Sequence, residues 1–187
     1  MKLARYSVLL LVAGALYAQQ PAGMQGDWDI HKTLDAIALH ADRLTPFLDQ
    51  IHPENWNGSP DGYVTQARTC RAEIRAVAAS ARNLSRNPEK LTDALQTLFR
   101  IRTLETMLAS LSEGLRKYQN PPMADMLNAA VAENTTNRDR LQQYVLELAA
   151  EKEQECRVAD EEAQRCRQSI SRQPSRDRVA APRPEKN

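Results

Sequence analysis

The chain has 187 residues, with 25 Lys and Arg against 24 Asp and Glu, and three Cys. That length suits one domain with extensions, and the balanced charge gives no support to general nucleic-acid or anionic-membrane binding. Aromatic residues make up only 5% of the chain, while Ala, Leu, Glu, Gln and Arg are plentiful, so helix formers meet little β-branched competition.

Lys2 and Arg5 precede an apolar run over residues 8–13, which exits through small residues at Ala15 and Ala18. A basic start, a short apolar stretch and a small-residue exit make the pattern of a secretory signal peptide. The run falls well short of the ~20 residues needed to span a bilayer. The expectation is removal of residues 1–18, with Ala15 the second-choice exit, and a periplasmic or secreted product. Removing Lys2 and Arg5 leaves 23 basic against 24 acidic side chains, a net charge of −1. No other hydrophobic run is long enough to span a membrane, so no transmembrane span is expected after signal removal.

Residues 19–27 read as a flexible leader. From about Trp28, the residues Ile30, Leu34, Ile37, Ala41, Leu44, Leu48 and Ile51 recur at alternating spacings of four and three, a narrow seam on one helix face. Pro46 falls inside this pattern and should bend its last turns. Pro53, Asn57-Gly58 and Pro60-Asp61-Gly62 then mark a loop with two turns. A second helix is expected over 64–86, with the small-residue face Ala67, Cys70, Ile74, Val77, Ala81 and Leu84, which lets a neighbour approach closely. Asn87-Pro88-Glu89 reads as the start of a third helix reaching residue 119, and Asn120-Pro121-Pro122 as the start of a fourth. With no breaker before Pro174, the fourth helix is expected to run about fifty residues, ~75 Å, against ~45 Å for the third.

These elements predict an all-α, up-down-up-down four-helix bundle over 28–150. A projecting continuation of helix four covers 151–170, and a disordered basic tail covers 171–187. Charge follows the same division. Residues 151–164 carry six acids and two bases, whereas 165–187 carry seven bases and two acids. Solvated surface is the preferred reading of both stretches.

Spacing argues against an intrachain disulfide. Cys156 and Cys166 lie about 15 Å apart along an unbroken helix, beyond the ~7 Å limit between bridged Cα atoms. Cys70 falls level with residue 135, far from Cys156. It reads as a small inert hydrophobe. Cys156, Ala159, Ala163, Cys166 and Ile170 share one stripe, so two parallel helices in register would bring each cysteine to its own mate. A homodimer through helix four, with an intermolecular disulfide at Cys156 or Cys166, therefore stands beside the preferred reading of a solvated single helix, because the seam offers little apolar area.

Motifs for chemistry are missing. His31 and His40 are nine residues apart and face opposite sides of helix one, His52 sits in a loop, and no Glu-x-x-His, His-Glu-x-x-His or Cys-x-x-Cys occurs. No cofactor, metal or catalytic residue is expected. Three Asn-x-Ser/Thr patterns, at Asn57, Asn83 and Asn134, carry little weight. One polar constellation has geometry behind it: antiparallel pairing around Asn120 brings Arg102 and Glu105 near Asn134, Asn137 and Arg138. Such a layer can hold a small ligand or fix helix register, or it can reduce to solvated ion pairs, the preferred reading. Trp56 and Tyr63, in or beside the first loop, are expected to cap the open bundle end rather than grip a partner. The reading reached is an exported, non-enzymatic interaction or scaffold module of the cell envelope with another protein as partner. The alternative is a small-ligand-binding bundle with its site near Glu105 and Asn134.

Overall fold

The computed structural model describes residues 29–172. Residues 1–18, expected as a signal peptide, residues 19–27, expected as a leader, Trp28 and the tail from 173 onward lie outside the described residues. Five α-helices follow one another: α1 (Ile30–Leu48), α2 (Gly62–Arg86), α3 (Leu91–Tyr118), α4 (Pro121–Ala132) and α5 (Thr135–Arg172). A single 3-10 turn, Pro53–Asn55, interrupts the first loop. Helix α1 packs on α2, α2 on α3 and α3 on α4, the α1–α2 interface being the most extensive, while α5 returns against both α1 and α3. The chain is thus an all-α four-helix bundle whose fourth limb is the pair α4 and α5.

Each seam read from periodicity is buried. Leu34, Ile37, Ala41, Leu44, Leu48 and Ile51 form the α1 side of the core, and Ala67, Cys70, Ile74, Val77, Ala78, Ala81 and Leu84 the α2 side. Small side chains on both helices permit the close α1–α2 approach. Asp29 opens α1 by accepting a hydrogen bond from the His31 N–H at 2.8 Å, which satisfies one of the free donors of the first turn. At the other end, α1 stops at Leu48, two residues past Pro46. There the Arg71 guanidinium of α2 donates to the carbonyls of Leu48 and Ile51 at 2.9 and 2.8 Å. A cation at a helix C-terminus meets both unpaired carbonyls and the negative end of the helix dipole. This bond fixes the exit of α1.

Of the two helix starts expected at Asn-Pro signals, one holds and one does not. Asn120 does cap α4, its side chain accepting from the Met123 N–H at 3.4 Å with prolines in the first helical positions. Asn87 does not start α3. It closes α2, its N–H bonded to the Leu84 carbonyl at 3.0 Å, and α3 begins at Leu91 after a tight turn in which the Lys90 N–H reaches the Asn87 carbonyl.

The largest correction concerns helix four. It is not one unbroken rod, because α4 ends at Ala132 and α5 restarts at Thr135. Residues 133–137 are Glu-Asn-Thr-Thr-Asn, four of which compete with the helical backbone or crowd it. The Asn134 N–H turns to the Val131 carbonyl at 3.3 Å, and the Asn134 carbonyl then accepts from the Arg138 N–H at 3.0 Å, which begins the new helix. Leu127 before the break and Leu141, Val145 and Leu148 after it are all buried, so the interruption leaves both halves facing one core. At its far end α5 continues through Arg172, and the first residues assigned to the tail are helical.

The bundle end beside the first loop is closed by aromatic rings. Trp56 lies 5.5 Å from Tyr63 and 6.3 Å from Tyr118 between ring centroids, and Tyr63 meets Tyr118 edge-on at 5.8 Å. The Trp56 indole N–H donates to Gln119 Oε1 at 2.7 Å, so the ring is buried without an orphaned donor. Gly114 makes room for this cluster, since a Cβ built there would lie 2.5 Å from the Tyr63 ring. Gly114→Ala is therefore expected to destabilise the bundle by about 1–2 kcal/mol, overpacking outweighing the ~1 kcal/mol that alanine contributes to helix propensity. Urea unfolding measures this, and a neutral or stabilised variant would show that the rings do not press on Gly114.

Candidate functional site

The break between α4 and α5 sets polar groups against the middle of the bundle. Asn134 is buried at the break, held there by the turn that ends α4. Its Oδ1 accepts from Asn137 Nδ2 at 3.3 Å. One turn into α5, Arg138 donates to Glu105 of α3 at 3.0 Å and to the neighbouring Asp139 at 2.8 Å. Both side chains of the Arg138–Glu105 pair are about three-quarters buried. The bonds to Asp139 first, and to Glu105 second, hold the Arg138 guanidinium more firmly in its charged form. Of the five residues predicted for this layer, Asn137 bonds Asn134 and Arg138 bonds Glu105, with Glu105 and Asn134 lining one cavity. Arg102 does not join them. Its guanidinium instead bonds Gln142, one turn further along α5, because antiparallel pairing carries residues earlier in α3 to later positions on α5.

His40 is the member that sequence reasoning missed. Its opposition to His31 was legible, and His31 is indeed exposed while His40 is buried. What the sequence could not show is that the buried side of α1 faces the α4–α5 break. There His40, Glu105 and Asn134 line one small cavity whose other walls include Ile37, Leu104, Leu108 and Val131. His40 Nε2 and Ser112 Oγ are buried side-chain polar atoms without a hydrogen-bond partner among the described residues. The cavity volume is about 20 Å³, which accommodates one water rather than an organic molecule. Burial is the main influence on the His40 imidazole and lowers its pKa, Arg43 acts in the same direction, and Glu133 and Glu105 oppose them. Cys70 is fully buried, and burial pushes its thiol up to about 11, a setting for an inert thiol.

A second feature lies at the opposite end of α5. Residues 153–171 are exposed without interruption, carrying Cys156 and Cys166 as free, exposed thiols. Leu91, where α3 begins, and Ala149, Lys152, Glu153 and Cys156 on α5 border an open groove of about 570 Å³. Among the described residues no group of three or more His, Cys, Asp or Glu is arranged to hold a metal ion, and no helix is long and apolar enough to cross a membrane.

No family model, curated protein or solved structure matches the chain. The functional reading therefore rests on the geometry of these two features.

Linkage gives the central layer a measurable signature. The ordinary histidine value is 6.5 and the folded value is lower, so at acidic pH the unfolded chain binds a proton that the folded chain resists. The stability that neutral His40 supports is complete above pH 6.5 and declines as pH falls below it towards the lowered folded value. Chemical unfolding across pH 5–8 should show this decline, and His40→Leu should flatten it. An unchanged slope in the variant would remove His40 as its source.

Proposed function

We propose that the protein is an exported, non-enzymatic interaction module, in which a packed bundle holds out the second half of α5 as a docking element. The observation that carries this reading is the uninterrupted exposure of residues 153–171 on a helix whose first half is packed in the core. These nineteen residues rise ~28 Å, and helices in proteins draw most of their stability from packing a face against a neighbour, which this segment lacks in the free chain. Its local support is modest: exposed pairs such as Lys152–Glu155 at 3.0 Å and Glu161–Arg165 at 3.8 Å contribute little each. A helix so placed gains most when another surface covers it. The signal-like residues 1–18 support delivery outside the cytoplasm, and sequencing of the secreted or periplasmic product should find Gln19 at its start.

The small central cavity supports a structural use of the Glu105–Asn134 layer, since it has room for about one water. The layer then fixes the register of α4 and α5 against α1 and α3, the attested use of buried polar groups in helical assemblies.

Ending the chain after Lys152 should leave bundle stability nearly unchanged. Removal of exposed residues shifts stability by about 0.5 kcal/mol or less, or under about 2 °C in a domain of this size. A photo-crosslinking side chain at Val158, 44% exposed on the overhang, should yield protein adducts in the producing cell. The same group at Leu39, exposed on α1, should not. A Val158 probe that gives no adduct would overturn the docking reading, and a large loss of Tm on truncation would show that the overhang serves the bundle itself.

A further inference from the structure

We propose that the partner of the α5 overhang is a second copy of this chain, paired antiparallel and cross-linked by two Cys156–Cys166 disulfides. The proposal rests on the reading of the overhang as a docking element and names its occupant.

The overhang stripe Lys152, Cys156, Ala159, Ala163, Cys166, Ile170 continues the buried stripe Leu141, Val145, Leu148 at the same spacing of three and four residues. A partner helix on this stripe would thus extend the surface that the bundle offers to the first half of α5. In an antiparallel pair, each first-position residue of a heptad faces a fourth-position residue of its mate. Setting Cys156 against the partner's Cys166 places Ala159 against the partner's Ala163 at the dyad, and Lys152 against the partner's Ile170 at each end. One register satisfies the whole stripe. The partner's Ile170, 69% exposed on the free chain, then arrives beside the groove bordered by Leu91 and Ala149. Its helix ends at Arg172, level with residue 150, where the bundle begins.

Charge at the ends of the seam favours this orientation, since Lys152 faces the partner's Ile170 rather than another Lys152. Residues 151–162 lie along the partner's 160–171, and Glu153 meets the partner's Arg167 at both ends. The parallel arrangement instead sets Lys152 on Lys152 and acidic stretch on acidic stretch, which like charges resist. Asp160 and Glu162 do meet their own mates at the dyad, and the alanine seam buries little apolar area. The non-covalent pair is therefore weak, and the disulfides hold it.

Small residues make the bonds reachable. Helix axes packed about 8–10 Å apart, with Cα atoms on radii of about 2.3 Å, bring facing Cα atoms to about 3.5–5.5 Å, overlapping the ~4.4–6.8 Å of disulfides. Each bond forms by two exchanges with a disulfide oxidant. One cysteine thiolate attacks the oxidant and releases its first thiolate, and the partner's cysteine attacks the mixed disulfide and releases the second. Two protein thiols lose two protons and two electrons, and the oxidant's disulfide becomes two thiols.

The experiment is light scattering and non-reducing electrophoresis of the purified full chain after treatment with oxidised glutathione. The expected result is a doubled mass that returns to monomer on reduction. Cys156→Ser and Cys166→Ser should each stay monomeric when oxidised, and an equimolar mixture of the two should recover a covalent dimer. Both substitutions lie on exposed positions, and circular dichroism checks that helix content is kept. A wild-type chain that stays monomeric overturns the proposal, as do single variants that still cross-link like to like. A monomer here together with Val158 adducts to a different protein removes the homodimer and leaves the docking reading standing.

Discussion

The length of the core is the constraint on which the rest of the architecture depends. Helix α3 has 28 residues, and its antiparallel neighbour needs about as many to cover it. The fourth limb starts at Pro121 and contributes its last core residue at Leu148, 28 positions in all. Helix α5 nevertheless continues to Arg172. Everything beyond the rim of the core must either meet water or meet another molecule, and its composition changes accordingly, from Leu and Val to Glu, Arg, Ala and Cys.

The interruption at Glu133–Asn134 serves the same limb from the other direction. Leu127 and Leu141 are fourteen residues apart and fully buried on either side of it, so the break re-aims the chain without turning its apolar face away. It also brings a polar backbone turn beside the core. Asn134, Arg138, Glu105 and His40 answer the polarity that the turn introduces, with the ion pair joining α3 to α5 and His40 facing it from α1. The end closed by Trp56, Tyr63 and Tyr118 packs instead as a ring cluster around the glycine at 114, with Arg71 answering the α1 carbonyls and Gln119 the Trp56 N–H. The two sites differ because one lies at a helix break and the other at a chain reversal.

Much of this was legible from residue order alone. The apolar seams of α1 and α2, the turn at Asn120 and the isolation of the three cysteines follow from periodicity and rise per residue, which are local quantities. The pairing of Glu105 with Arg138 followed from counting outward from a turn, since antiparallel helices keep register over short distances. The start of α3 was misplaced because Asn87-Pro88-Glu89 fits the end of one helix as well as the beginning of the next. Neither reading differs in local propensity, and the backbone bonds of α2 choose between them.

The sequence by itself therefore determined the helices, their buried faces and the excess length of the last one, because each depends on spacing along a single element. Only the tertiary structure decided that His40 rather than Arg102 completes the polar layer, and that the central cavity has room for one water. Those outcomes depend on which side chains from different helices arrive at the same level and how much space remains between them. Spacing within one helix carries no record of either.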